Sequence, residues 1–137
     1  MNPNNTPEAH PEPWLDLLRG YVGETVRALA EGGLRPEGSW LDPRDPRDAT
    51  ILLGGDGLAP VRALVWDEET GWRTGTYVDG HQGVRTELAE AAHLGGGVLV
   101  HPSEVAGRLR AGTTGPGERY RSYRAAHDGL DDALRAY

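Results

Sequence analysis

The side chains best placed to do chemistry in this sequence are the acids of residues 66–72, namely Asp67, Glu68 and Glu69, which stand between two tryptophans. A carboxyl group held against an apolar ring can act as a general acid or base, because burial raises its pKa. The same residues are typical of a β-hairpin, in which a short polar turn with Gly71 joins two apolar strands. We favour the hairpin alone, because polar residues occupy turns for structural reasons.

His101 is the histidine with the most suggestive position. It follows residues 98–100, which are predicted to form a short buried strand, and it precedes a helix that Ser103 is expected to cap. Active sites of α/β proteins often lie where a strand ends and a helix begins. His101 and Asp67 are therefore the candidate acid–base pair of a small enzyme, although a single histidine is more often structural.

Metal and cofactor sites have weak support in the sequence. Asp42, Asp45 and Asp48 recur every three residues and could offer oxygen ligands to Ca²⁺ or Mg²⁺. Prolines and arginines separate them, and the spacing is not that of an EF-hand. The glycine clusters at 54–57 and 95–97 match no phosphate-loop pattern, the histidines lack zinc-motif spacing, and there is no cysteine. We expect no metal ion and no cofactor.

The C-terminal residues carry the most regular pattern in the sequence. Residues 118–137 are predicted to form a helix after a flexible linker at 112–117. Six of them recur at spacings of three and four, as in the a and d positions of a coiled coil: Tyr120, Tyr123, His127, Leu130, Leu134 and Tyr137. The stripe could pack on the domain's own core. Its tyrosines and the linker also fit a helix that binds a second copy or a protein partner.

Residues 119–124 alternate arginine with tyrosine and serine, a combination that single-strand nucleic-acid binders use. The formal net charge of the chain is −7, from 14 basic and 21 acidic residues. Because nucleic-acid binding depends mainly on positive charge, we expect none here.

The elements that must position these residues follow from apolar periodicity and turn residues. We predict a disordered tail at 1–12, one domain at 13–112, and a linker with the C-terminal helix at 113–137. Besides that last helix, helices are expected to begin near Trp14 and at Ser103, and propensity favours a short one at 85–94; strands are expected at 39–41, 49–53, 61–66, 72–78 and 98–100.

Consecutive strands joined by short turns indicate antiparallel pairing. The predicted fold class is therefore α+β, with an antiparallel sheet of three to four strands and the N-terminal and C-terminal helices packed on one face. The first residues lack the pattern of a signal peptide, and no apolar run is long enough to span a bilayer, so we expect a cytoplasmic protein.

Three segments, YVGETVRAL, ALVWDEETGW and LGGGVLVHPSEVAGRL, occur in an order and spacing that resemble a known family. It is an actinobacterial, Streptomyces-type family of small domains of unknown function. The resemblance covers roughly residues 14–111, and its most specific parts are the WDEETGW hairpin and the LGGGVL segment. The resemblance implies no activity and no catalytic residue.

The function that we expect is that of a non-enzymatic interaction or accessory module, regulatory or chaperone-like, whose partner the sequence does not identify. The alternative is a small cofactor-free enzyme that uses His101 and a carboxylate such as Asp67 in a cleft.

Overall fold

A computed structural model describes residues 5–41, 46–54, 61–125 and 127–137 of the chain. Within these residues the helices are α1 (Pro13–Asp16), α2 (Arg19–Glu31), α3 (Pro102–Ala111) and α4 (Leu130–Arg135). The strands are β1 (Pro36–Leu41), β2 (Asp48–Leu53), β3 (Arg62–Asp67), β4 (Gly71–His81) and β5 (Val84–His93). None of the helices in the described part of the chain is long and apolar enough to cross a membrane.

The five strands form one antiparallel sheet in which each strand pairs with the next along the chain. This confirms the α+β class and the antiparallel pairing, but the predicted count of three to four strands was too low. The additional strand is β5, and the helix predicted at 85–94 was wrong. Its residues favour a helix when isolated, yet the long strand β4 satisfies the backbone of β5 by pairing, for example Tyr77 with Leu88.

The first helix begins where expected, but it is divided into α1 and α2 by a turn at Leu17 and Leu18. The apolar spacing predicts a stripe from Trp14 to Leu29; its residues from Leu18 onward are buried, but Trp14 is 48% exposed. Gly32 caps the C-terminal end of α2. Gly20 is explained by tertiary contact, because a Cβ atom there would collide with the main-chain carbonyl of Tyr137. Gly20 therefore allows the main chain of residue 137 to approach α2 closely.

The hydrophobic core lies between one face of the sheet and the helices α2 and α3. Ala49, Trp66 and Trp72 are direct neighbours across β2, β3 and β4 on that face. Trp66 and Trp72 have 0% and 1% of their surface exposed. The indole of Trp72 donates to the hydroxyl of Tyr21 at 3.0 Å and so joins the hairpin to α2.

The ribbon formed by β4 and β5 folds over the other face of the sheet. Thr86 on β5 hydrogen-bonds Thr50 on β2 at 2.7 Å, although β3 and β4 separate these strands in the sheet. Arg85 pairs with buried Asp48 at 3.1 Å in the same region. Register shifts between β4 and β5 increase the twist of this ribbon, which brings β5 close to β2.

Two local predictions before α3 were wrong. Residues 98–100 form no strand, and their carbonyls instead accept side-chain donors: Val98 accepts the indole N–H of Trp66 at 2.6 Å, and Val100 accepts the hydroxyl of Tyr21. The N-cap of α3 is His101 rather than Ser103, because the His101 ring accepts the main-chain N–H of Ser103 at 3.2 Å.

The long C-terminal helix predicted at 118–137 was also wrong. The described residues between 113 and 129 contain no helix or strand, and α4 covers only Leu130–Arg135. Glu69 accepts the main-chain N–H groups of Tyr120 and Tyr123, and this contact replaces helical hydrogen bonds. The continuous coiled-coil stripe is therefore absent, because its residues do not share one helix.

Candidate functional site

The predicted β-hairpin at residues 66–72 is confirmed, and Asp67 holds its turn together. One carboxylate oxygen of Asp67 accepts the main-chain N–H groups of Glu69 and Thr70 at 2.8 and 2.7 Å. The other oxygen accepts the hydroxyl of Thr70 at 2.6 Å and pairs with Arg73 at 2.8 Å. Asp67 therefore acts as a structural residue of the turn.

Glu68, the next residue, lies in the interior with 2% of its surface exposed. It accepts the main-chain N–H of Arg47 at 2.5 Å and the guanidinium of the same residue at 2.9 Å. The guanidinium of Arg121 donates to it at 3.0 Å. Arg47, Glu68 and Arg121 form what we call the buried ion cluster.

Arg47 extends the buried ion cluster to both flanks of the fold. It is 1% exposed, and its guanidinium pairs with Asp131 of α4 at 2.8 Å. The same group donates to the carbonyl of Trp14 at 3.3 Å and lies 4.5 Å from the centroid of the Trp14 ring. One buried cation thus connects α1, the hairpin turn and α4.

On the outer side of the buried ion cluster, Arg121 also forms an ion pair with Asp128 at 2.5 Å. Burial alone would lower the pKa of Arg121, but hydrogen bonds with Asp128 and Glu68 outweigh it and raise that pKa. The hydrogen bond from Arg121 in turn lowers the pKa of Asp128. Both side chains therefore keep their charges near neutral pH.

A groove of about 300 Å³ lies beside this cluster, and we call it the Trp14 groove. One wall is the indole of Trp14, which is 48% exposed. The rest of the lining comes from the C-terminal residues and includes the polar side chains of His127, Asp131, Asp132 and Arg135. The groove therefore combines one large apolar ring with several polar side chains.

The candidate acid–base pair is not assembled. His101 is exposed, and its ring contacts the hydroxyl of Ser103 at 2.9 Å. Asp67 is bonded within its own turn and to Arg73. No hydrogen bond joins His101 to a carboxylate in the described part of the chain, so the geometry required of the proposed enzyme site is absent there.

The sequence positions considered for metal or phosphate are either structural or outside the described residues. Asp42 and Asp45 lie outside them, as do residues 55–57 of the first glycine cluster. Asp48 is buried and pairs with Arg85. Among the described residues, no group of three or more histidine or acidic side chains could hold a metal ion.

Two of the three arginines considered for nucleic-acid binding are paired with acids of the same chain. Arg119 lies 3.1 Å from Glu69, and Arg121 pairs with Glu68 and Asp128. Arg124 lies 5.4 Å from the Tyr123 ring. The charge that would meet a phosphate is therefore already neutralised at two of the three arginines.

The six residues of the predicted stripe have different environments. Leu130 and Leu134 are buried in the core, and the ring of Tyr137 packs at 5.0 Å from that of Tyr21. Tyr120 and His127 are exposed, and Tyr123 is half-buried. The structure thus places two of the six in the interior of their own chain.

Residues 21–111 match a Family of unknown function (DUF6292). The chain belongs to this family. No curated protein and no solved structure matches it. The resemblance to a family of unknown function is therefore confirmed, and membership of DUF6292 brings no activity with it.

The boundary of the DUF6292 match divides the site. The hairpin with Glu68 and the loop with Arg47 lie inside the matched range, whereas Trp14, Arg121 and the other C-terminal side chains of the groove lie outside it. The sequence pattern identified Glu68 only as one of the acids of the hairpin turn and gave no sign of its burial, and it did not single out Arg47, because charged residues in turns are normally exposed. No feature of the local sequence indicates that the distant segment around Arg121 covers the side chain of Glu68.

Proposed function

We propose that the chain is a small non-enzymatic interaction module that binds a protein partner through the Trp14 groove. The observation that supports this is the half-exposed indole of Trp14 above the buried guanidinium of Arg47, 4.5 Å from the ring centroid. Tryptophan is enriched among the residues that dominate binding energy at interfaces. Because Arg47 already fixes one face of the ring, a partner would lose little conformational entropy in packing against the other.

The partner that we propose presents a basic surface. The chain has a net charge of −7, and the groove wall includes Asp132, whose side chain is 87% exposed. Opposite charge accelerates encounter and sets orientation, and its effect falls with ionic strength. We expect such a module to act in the cytoplasm in a regulatory or chaperone-like role, since its recognition chemistry is non-covalent.

Affinity capture with matched variants tests the proposal. Tagged wild-type protein, Trp14→Ser, Asp132→Arg and the control Val78→Ser would be compared by quantitative mass spectrometry. Val78 is 51% exposed on β4, away from the groove residues. We expect one set of basic partners to be retained by the Val78 variant and lost with both groove variants.

Asp132→Arg guards against misfolding, because so exposed a side chain can be replaced without disturbing the core. Circular dichroism and a thermal melt would establish that each variant is folded. If folded groove variants capture the same proteins at the same level as wild type, the groove is not the binding surface.

A further inference from the structure

We infer that Glu68 and Glu69 form a peptide-binding site for a segment with two arginines spaced two residues apart, and that residues 119–123 fill this site as an internal ligand. The partner would be a protein that presents a segment of the same chemistry. The inference rests on the proposal that the chain is an interaction module, but it concerns Glu68 and Glu69, which do not line the Trp14 groove; Arg121 borders both surfaces.

Glu69 binds the segment through both its main chain and its side chain. Its carbonyl accepts the main-chain N–H of Tyr120 at 2.8 Å. One carboxylate oxygen accepts the main-chain N–H of Tyr123 at 2.9 Å and lies 3.1 Å from the guanidinium of Arg119. Glu69 thus binds two main-chain N–H groups and one arginine side chain.

Glu68 binds the second arginine. The same guanidinium nitrogen of Arg121 donates to the Glu68 carboxylate at 3.0 Å and to the Glu68 carbonyl at 3.2 Å. Arg47 holds that carboxylate independently, by its main-chain N–H and its guanidinium. The Glu68 carboxylate is therefore positioned by Arg47, a residue inside the range that matches the family, as well as by Arg121.

The segment behaves as a ligand rather than as an element of the fold. Residues 119–123 belong to no helix or strand, and they lie outside the range that matches the family. The contacts to Glu68 and Glu69 use main-chain N–H groups and guanidinium groups, and the tyrosine rings take no part in these hydrogen bonds. Recognition of this kind depends on main-chain N–H groups and two correctly spaced arginines, but on no particular residue between them.

Occupation by the internal segment lowers the apparent affinity for any partner. A tethered ligand acts at an effective concentration in the millimolar range, so a competing segment binds only the fraction of molecules in which the site is open. The site is thus masked, and weakening the internal contacts should expose it.

Fluorescence anisotropy with full-length protein tests this directly. The probe is a labelled peptide of residues 117–125, GERYRSYRA. We expect the Arg121→Ser protein to bind it about tenfold more tightly than wild type, because the variant loses a charge-assisted hydrogen bond that closes the site. A second variant, Arg119→Ser, changes a side chain that is 61% exposed, and it should give a smaller gain without affecting folding.

Two controls define the site. A peptide in which both arginines at 119 and 121 are serine should not bind, and Glu69→Ala added to Arg121→Ser should abolish binding of the normal peptide. Equal binding by the serine peptide, or binding that survives Glu69→Ala, would overturn the inference. So would the absence of binding to both arginine variants when circular dichroism shows that they are folded.

The source of the partner segment is distinguished by size-exclusion chromatography. Dimers of Arg121→Ser that dissociate when the peptide is added would overturn the assignment to a foreign partner, because a second copy would then supply the segment. Failure of the peptide while Trp14→Ser still loses its captured proteins would reject this inference and leave the proposed function in place.

Discussion

Glu68 is the residue on which the ionic contacts of this fold converge. Its carboxylate is 2% exposed and is satisfied by Arg47 and Arg121, one from the loop before β2 and one from the C-terminal residues. Burying such charges costs several kcal/mol each unless they are paired and hydrogen-bonded. Glu68 is paired with Arg47 inside the family match and with Arg121 outside it, and these contacts offset the cost of its burial.

Replacing Glu68 by alanine should be strongly destabilising. The change leaves Arg47 and Arg121 without their shared buried anion, and breaking a buried pair in this way costs about 3–5 kcal/mol. Urea unfolding followed by circular dichroism measures the loss. Glu87→Ala, an acid on the exposed part of β5, is the control and should change the free energy of unfolding by less than about 0.5 kcal/mol. Equal effects of the two changes would show that the cluster is unimportant.

Trp72→Ala should also destabilise the fold by about 3–5 kcal/mol, through loss of buried apolar surface and the cavity that remains. The indole is 1% exposed and donates a hydrogen bond to Tyr21. The melting temperature should fall by more than about 6 °C, with Val78→Ala as the exposed control. A melting temperature within a degree or two of wild type would contradict the burial.

At the level of elements, the contacts between them decide where glycine is required. α2 contains Gly20 beside the main chain of Tyr137, whereas α3 contains Gly107 with no atom near its missing Cβ. We therefore expect replacement of glycine by alanine to change the free energy of unfolding in opposite directions at the two positions, although helix propensity alone predicts the same gain at both.

Gly20→Ala and Gly107→Ala form a matched pair. Alanine favours a helix over glycine by up to about 1 kcal/mol, so Gly107→Ala should stabilise the protein by up to that amount. Gly20→Ala should destabilise it, because the new methyl group would displace the Tyr137 carbonyl. Chemical denaturation of both variants measures the signs. Stabilisation by both would mean that residue 137 does not pack on α2.

On the scale of the whole molecule, the residues that flank the family match complete the core. Leu15 and Leu18 on one flank and Leu130 and Leu134 on the other are buried in the same cluster as the sheet. The ion pairs of Arg121 and Arg47 hold the C-terminal flank to the hairpin. We therefore expect the stability that these ion pairs contribute to depend on pH, because their carboxylates become protonated in acid.

The pH dependence follows from Asp128, whose pKa is lowered from 3.8 by its hydrogen bond with Arg121. A carboxyl whose pKa is lower in the folded state contributes stability in full above its unfolded value, and loses it as the pH falls through the folded value. Asp128→Asn should thus be less stable than wild type above pH 3.8, and the difference should vanish in stronger acid. Urea titrations between about pH 2 and 6 measure this. A difference that persists at the acid end would contradict the assignment.

The sequence by itself determined the elements whose signals are local. The hairpin at 66–72, the stripe of α2 and the antiparallel order of β1 to β4 follow from alternation and turn residues, since neighbours along the chain carry that information. The resemblance to a family of unknown function came from the same segments.

Three features became visible only in the tertiary structure: the strand β5, the absence of a helix between 113 and 129 among the described residues, and the buried ion cluster. The residues of β5 favour a helix by propensity, but they pair with β4 and form a strand. The residues around Tyr120 also favour a helix, but Glu69 accepts the main-chain N–H groups of Tyr120 and Tyr123 instead. Glu68 is an ordinary turn acid in the sequence, because burial depends on a segment fifty-three residues away that carries Arg121. These outcomes depend on contacts between distant residues, whose free energy exceeds the local propensities of fractions of a kcal/mol per residue.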